Sequence, residues 1–262
     1  MTETASTETS THDLLRRVIE QMPPSIGPGQ MAQIDRFAFE VDLVRRRQNG
    51  GARVCDIGGG WGTFALGCAA AGMRAVMNDD FRDLGHGRAD DLEIMRGLWK
   101  QHGVEVRSED LANGLPFPDR SFDVITTFDC IEHWHDSPRK MLRDAVRTLV
   151  PGGLFIIATP NAANLRKRIS MVVGKAKWSA MADWYDQEVF RGHVREPDID
   201  DLRYIARDIG LERTSVIGRN FAGYHPKRPA WIRAVTPFVD HALRTRPSLC
   251  SNIYLLGYKP KK

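Results

Sequence analysis

The residues with the most chemical content lie close together. In Val54-Cys55-Asp56-Ile57-Gly58-Gly59-Gly60-Trp61-Gly62, a carboxylate precedes glycines at 58, 60 and 62, and a carboxylate pair, Asp79-Asp80, follows the next short apolar run. A glycine loop between a strand and a helix lets backbone N–H groups and the helix N-terminus approach a ligand closely. An acidic residue about twenty positions further on is where an α/β nucleotide site holds ribose hydroxyls. The dinucleotide fingerprint fails, because Thr63 stands where its last small residue belongs. Asp56 would repel a pyrophosphate at this loop and suits a ligand bearing a cationic amino group. These residues together imply a nucleoside cofactor with an amino-acid end.

The rest of the core repeats this kind of signal in order. Ser108-Glu109-Asp110-Leu111, Leu115-Pro116-Phe117-Pro118-Asp119, Ser121-Phe122-Asp123-Val124-Ile125, Phe128-Asp129-Cys130-Ile131-Glu132-His133 and Leu149-Val150-Pro151-Gly152-Gly153-Leu154 follow the glycine loop. With Asp56-Ile57-Gly58-Gly59-Gly60 as a D-x-G-x-G motif, the chain resembles the class I S-adenosylmethionine-dependent methyltransferases of the small-molecule branch over roughly residues 50 to 160. The resemblance implies S-adenosylmethionine as cofactor. Asp56 with Gly58, Gly60 and Gly62 would hold its methionine part, Asp79 its ribose, and Asp110 with Leu111 its adenine, with Asp80 and Phe128 beside them. Asp80 departs from the family pattern, which has an apolar residue there to stack on adenine; Phe81 or Trp61 are the substitutes.

Methyl transfer from a sulfonium is an in-line displacement, so alignment and exclusion of water come first. A hydroxyl acceptor also needs a base, for which imidazole is best poised. His133 ends the fourth strand in the resemblance, and Gly192-His193-Val194-Arg195 is similar to a G-H-x-R of related small-molecule enzymes, so both histidines are candidate bases. Asp129, Glu132 and His133 would share one face if this turn were helical, in an arrangement similar to a metal motif of ubiquinone-biosynthesis O-methyltransferases. The Glu-His pair is also widespread in metal-free relatives, and no metal is expected.

These residues need a scaffold. Strand positions at Val54, 75–77, 105–107, 124–127 and 154–158 alternate with helical segments, which implies parallel strands with helices on both faces and a site at their carboxyl ends. The expected architecture is α/β and doubly wound: a mostly parallel, seven-stranded, Rossmann-like methyltransferase sheet with N-terminal helices at 13–21 and 30–48. A helical lid or insertion follows the fifth strand. Residues 1–12 read as a disordered tail and 13–262 as one domain, with its core at 50–160, a lid and variable region at 161–250 and a last strand at about 252–259. Trp178, Trp184, Tyr185 and Phe190 could wall an apolar acceptor pocket under the lid.

Composition narrows the remaining choices. The segment 2–11 has neither the basic nor the apolar region of a secretory signal, and Cys55, Cys68, Cys130 and Cys250 show no C-x-x-C pairing, so a reducing cytoplasm is expected. Residues 161–262 carry 19 Lys/Arg against 10 Asp/Glu, whereas the first 160 residues are net acidic. Such a basic end attracts an anionic substrate, a phospholipid surface or RNA. RNA is disfavoured by the lack of an appended RNA-binding module and of an N-P-P-Y-type motif, and the intact motifs disfavour a non-catalytic binder. The expected acceptor is a small or lipid-linked metabolite, methylated on oxygen, with weak membrane-surface contact through the basic amphipathic segment 229–246. Pro237 is expected to disturb a continuous helix there.

Overall fold

The computed structural model describes residues 9–48, 50–82, 89–109, 114–175 and 181–261. Strands β1 (Arg53–Ile57), β2 (Arg74–Asn78), β3 (Glu105–Arg107), β4 (Phe122–Phe128), β5 (Leu149–Pro160), β6 (Glu212–Arg219) and β7 (Asn252–Tyr258) form one sheet. Its order is β3-β2-β1-β4-β5-β7-β6, with only β7 antiparallel to its neighbours. Adjacent residues on a strand enter opposite cores. Val54, Met77, Val124 and Ile156 face one layer, and Cys55, Val76, Ile125 and Phe155 face the other. This is the alternation of a pleated strand covered on both faces, which is why these strands read as continuous apolar runs.

On one face α1 (Thr11–Ile19), α3 (Ile34–Arg45) and α4 (Thr63–Ala70) pack Leu15, Ile19, Val41 and Leu66 together, with α2 (Gly27–Met31) linking the first two. Helices α5 (Ala89–Gln101) and α6 (Arg139–Thr148) complete the crossovers. Beyond β5 come α7 (Leu165–Val172), α8 (Met181–Tyr185) and α9 (Ile199–Asp208), then α10 (Ala230–Leu243) between β6 and β7. The expected insertion is therefore present, though Trp178 lies outside the described residues. Asn164 caps α7 by accepting from Lys167 N, and Asp198 and Asp201 form a reciprocal capping box on α9. Each such cap is worth about 1 kcal/mol.

Three sequence expectations need correction. The tail is shorter than 1–12 within the described residues, because α1 begins at Thr11, where Ser10 Oγ accepts from Asp13 N. The helix expected over 30–48 is two helices, broken at Ala32-Gln33; the turn leaves Gln30 free to accept a hydrogen bond from Thr63 Oγ1 on α4 at 2.7 Å. Helix α10 runs unbroken through Pro237. The proline sits on the exposed side, where water can take over the released carbonyl, while Thr236 Oγ1 donates to Ile232 O at 2.7 Å. No described helix is long and apolar enough to cross a membrane.

Strand order reverses between β1 and β4, and in an open α/β sheet a ligand sits beyond the strand ends at that crevice.

Candidate functional site

A cavity of about 200 Å³ opens at that crevice. Asp56 and the loop Gly58–Trp61 form its floor, Phe128 and Asp129 enter from β4, and Arg36, Phe37 and Glu40 cover it from α3. Asp56 is buried at the end of β1 and accepts a hydrogen bond from Thr126 Oγ1 at 2.7 Å. Burial pushes its carboxyl up to about 8, against the pull of that hydrogen bond. Glu40 is equally buried, accepts from Tyr254 Oη at 2.9 Å, and is raised by burial to about 7. Its second oxygen, Oε2, and Arg36 Nε have no hydrogen-bond partner among the described residues. A buried polar atom without a partner is costly, so these two atoms mark where a ligand would bond.

The glycine loop has the backbone that the sequence pattern requires. Gly58 has φ +70°, and a Cβ there would run into Cys130 Sγ. Gly62 has φ +74°, and a Cβ would lie 2.6 Å from Trp99 Nε1. Only glycine fits both conditions. Gly60 (φ +55°) gives its N–H to Asp79 Oδ2 at 2.8 Å, while Asp79 Oδ1 accepts from Phe81 N at 2.7 Å. Asp79 thus anchors the loop beside the cavity, and burial raises its carboxyl above the ordinary range. Asp80 turns away, accepting from Arg82 N at 3.0 Å and pairing with the Arg82 guanidinium. The ring of Phe81 stacks on Trp99 with centroids 5.3 Å apart. Phe128 packs edge-on against Phe64. Asp110 and Leu111 lie outside the described residues.

The second cluster assembles differently from the expected metal motif. Only Ile131–His133 form a turn of 3-10 helix, and Asp129 lies before it at φ +47°, so the i, i+3, i+4 face does not exist. Asp129 pairs with Arg36 instead. His193 takes its place: Glu132, His133 and His193 each bring a ligand atom within 4.8 Å of the others, and the two imidazole centroids are 4.8 Å apart. The docking is made by the backbone, because Val194 N and Arg195 N both donate to Glu132 O, at 2.7 and 3.2 Å. Glu132 is buried and raised to about 7 by burial; Oε2 accepts from Thr159 Oγ1, and Oε1 has no partner among the described residues.

Second partners fix the tautomers of both histidines. A carbonyl only accepts, so His133 Nδ1 carries the proton it gives to Arg191 O at 3.2 Å. His193 Nδ1 likewise donates to Glu196 Oε1 at 2.7 Å, and Lys167 Nζ holds the other oxygen of that carboxylate. Burial first, then His133 and Lys167, press His193 down to about 4, so its imidazole is neutral with an open lone pair on Nε2. Such a trio can hold a divalent ion or accept a proton. Cys130 does neither, since burial lifts its thiol to about 12. Sequence reasoning missed Arg36, Glu40, Lys167 and Glu196. The i, i+4 spacing of Arg36 and Glu40 on one N-terminal helix was the available signal for the first two.

A family model described as a methyltransferase domain matches residues 30–216. An uncharacterized methyltransferase of Mycobacterium sp. (strain JLS) is 30% identical over 229 residues, covering 82% of this chain and 83% of that one. The ubiquinone/menaquinone biosynthesis C-methyltransferase of Vibrio vulnificus (strain YJ016) is 28% identical over 184 residues, covering 66% and 62%. Mycobacterial relatives named for S-adenosylmethionine-dependent methyl transfer are 30% identical, and there the match spans about half their length, 48%. Among solved structures, a SAM-dependent methyltransferase of Thermotoga maritima superposes with a TM-score of 0.58 at 19% identity, covering 96% of this chain and all of that one.

Proposed function

The chain belongs to the S-adenosylmethionine-dependent methyltransferases, and we propose that it methylates a hydroxyl oxygen of a small or lipid-linked acceptor, with His193 as the base. When bound, the cofactor supplies a methyl group on a cationic sulfur. The carrying observation is a pair of buried atoms without hydrogen-bond partners among the described residues, Arg36 Nε and Glu40 Oε2, lining the cavity with Asp56 and the glycine loop. A zwitterionic amino-acid end needs that pairing: Arg36 for its carboxylate, Asp56 and Glu40 for its ammonium. Gly58, Gly60 and Gly62 give room for the close approach, Asp79 takes the ribose hydroxyls, and Phe128 walls the reacting end. Phe81, stacked on Trp99, replaces Asp80 as the aromatic neighbour of the adenine.

On the acceptor side, His193 Nε2 takes the hydroxyl proton as the oxygen attacks, and Glu196 steadies the imidazolium through Nδ1. His133 and the buried Glu132, whose carboxyl burial raises to about 7, close the pocket beside it. A second reading, transfer to an acceptor carbon that a base must first deprotonate, is favoured by the similarity to the Vibrio C-methyltransferase. It uses the same first proton transfer, so product analysis rather than mutagenesis separates the two.

Substituting His193→Ala should lower turnover by roughly 10²–10⁴-fold while cofactor affinity stays level. The limb of the wild-type rate profile that belongs to His193 should rise with pH through about 4 and be lost in His193→Ala, since the imidazole is already unprotonated at neutrality. Near-normal turnover in both His193→Ala and His133→Ala would sink the hydroxyl reading in favour of an acceptor already nucleophilic at neutral pH. Loss of activity on treatment with a chelator would replace proton transfer by metal binding at Glu132, His133 and His193.

A further inference from the structure

Helix α10 is turned inside out. Its buried residues are Thr236 and Asp240, while Trp231 (69% exposed), Val235, Phe238 (77%) and Val239 face outward. The orientation is enforced from within. Asp240 is fully buried, accepts from Asn220 N at 2.9 Å and from the Arg244 guanidinium at 2.6 Å, and lies 3.3 Å from Arg219 Nε. A helix that only capped the core would bury its apolar stripe, so this one presents that stripe to something outside.

A second exposed apolar run lies at the same edge. Residue Pro160, the end of β5, is in register with Asn252 at the start of β7, and Asn252 is in register with Arg219 at the end of β6. Helices α7 and α10 therefore both leave the carboxyl end of the sheet, the end that carries the site. Arg168 and Asn161, flanking α7's start, both donate to Ser248 O just beyond α10. On α7 and its end, Ile169, Met171, Val172 (88%) and Val173 are exposed among Arg166, Arg168 and Lys175.

We propose that this rim docks on an anionic lipid surface. Charge decides the occupant. Between residues 213 and 262 the only carboxylate side chain is Asp240, buried under its arginines, against ten Lys and Arg. An apolar stripe led by Trp and Phe and bordered by uncompensated cations fits the headgroup boundary of an anionic bilayer. A second copy of the chain would bring the same excess of positive charge to the contact. The docking stands without the methyl-transfer reading; that the acceptor is delivered from the bilayer rests on that reading.

The test is sedimentation of the full chain with vesicles of phosphatidylglycerol and phosphatidylcholine, against vesicles of phosphatidylcholine alone, without cofactor. The anionic vesicles should bind at least roughly tenfold more tightly and release the chain at high salt. The variant Trp231→Glu/Phe238→Glu alters only exposed side chains; it should lose vesicle binding and keep wild-type S-adenosylmethionine affinity by calorimetry. Equal binding of variant and wild type overturns the proposal. So does a wild-type dimer in sedimentation velocity that the variant abolishes, which would assign the stripe to a second copy. Failure to bind the cofactor would count against the methyl-transfer reading and leave the vesicle result standing.

Discussion

The floor of the cavity and the rim around it break the usual partition of side chains in opposite senses. In the cavity, polar atoms are buried without hydrogen-bond partners among the described residues, Glu40 Oε2 and Arg36 Nε, beside the buried carboxyl of Asp56. At the rim, large apolar groups are exposed, led by Trp231, Phe238 and Val172. Each inversion costs free energy in the isolated chain and is recovered only when another molecule covers it. The floor asks for a charged, hydrogen-bonding ligand, and the rim for an apolar or amphipathic surface. On the two proposals above, one end of the sheet serves two different partners, one small and polar, the other extended.

The rim can be broken most severely at its hidden anchor. Asp240→Ala leaves Arg219 without its carboxylate partner in a half-buried setting between the rings of Phe39 and Phe221. Removing one member of a buried ion pair costs about 3 kcal/mol or more; the exposed side of Arg244 argues for the lower end. Urea unfolding should show that loss, and hydrogen exchange should rise through α10. An unchanged midpoint would mean that the helix is held outward by something other than Asp240.

The floor is tested one step lower in energy. Asp79→Ala removes the acceptor expected for the ribose and also frees Gly60 N and Phe81 N. S-adenosylmethionine affinity should fall by about 1.5–3 kcal/mol, the usual range for a hydrogen bond to a charged group. Calorimetry giving equal affinity in the mutant would remove Asp79 from the cofactor site and leave it as a loop anchor only.

The two regions were also unequally legible in the sequence. Strand β3 at Glu105–Arg107 lies where the alternation of apolar runs puts it, and the positive-φ Gly58 and Gly60 are written into the D-x-G-x-G run. These signals are local. The apolar stripe of α10 and a surface contact through it could be read, but not the unbroken helix or its buried anchor, because Asp240 meets Arg219 only after β6 and α10 fold together. Lys167 and Glu196 were missed for the same reason, lying 29 positions apart and joined only by the segment that docks on Glu132. Asp129 was misplaced because a left-handed residue ends β4 where a helical turn was assumed.

The smallest expected effect separates the two regions by protons alone. Burial raises Asp56 and Glu40 to about 8 and about 7, so near neutrality the folded chain holds protons there that the unfolded chain would have released. For a carboxyl raised on folding, the folded state binds the extra proton between the unfolded and folded values, so stability falls as pH rises through that window. His193, depressed to about 4, acts with the opposite sign, but only below its ordinary value near 6.5. From about 6.5 to 8 the carboxyls dominate, and the melting temperature of the unliganded chain should decline. A cofactor ammonium placed against Asp56 and Glu40 favours their charged forms. Binding at pH 7 should therefore expel about one proton, seen as a calorimetric enthalpy that changes with the ionisation enthalpy of the buffer. Asp56→Asn should remove most of that dependence, and Trp231→Glu at the rim none of it. A buffer-independent enthalpy in the wild type would mean that no cation reaches the floor, and that the cofactor's amino group lies elsewhere.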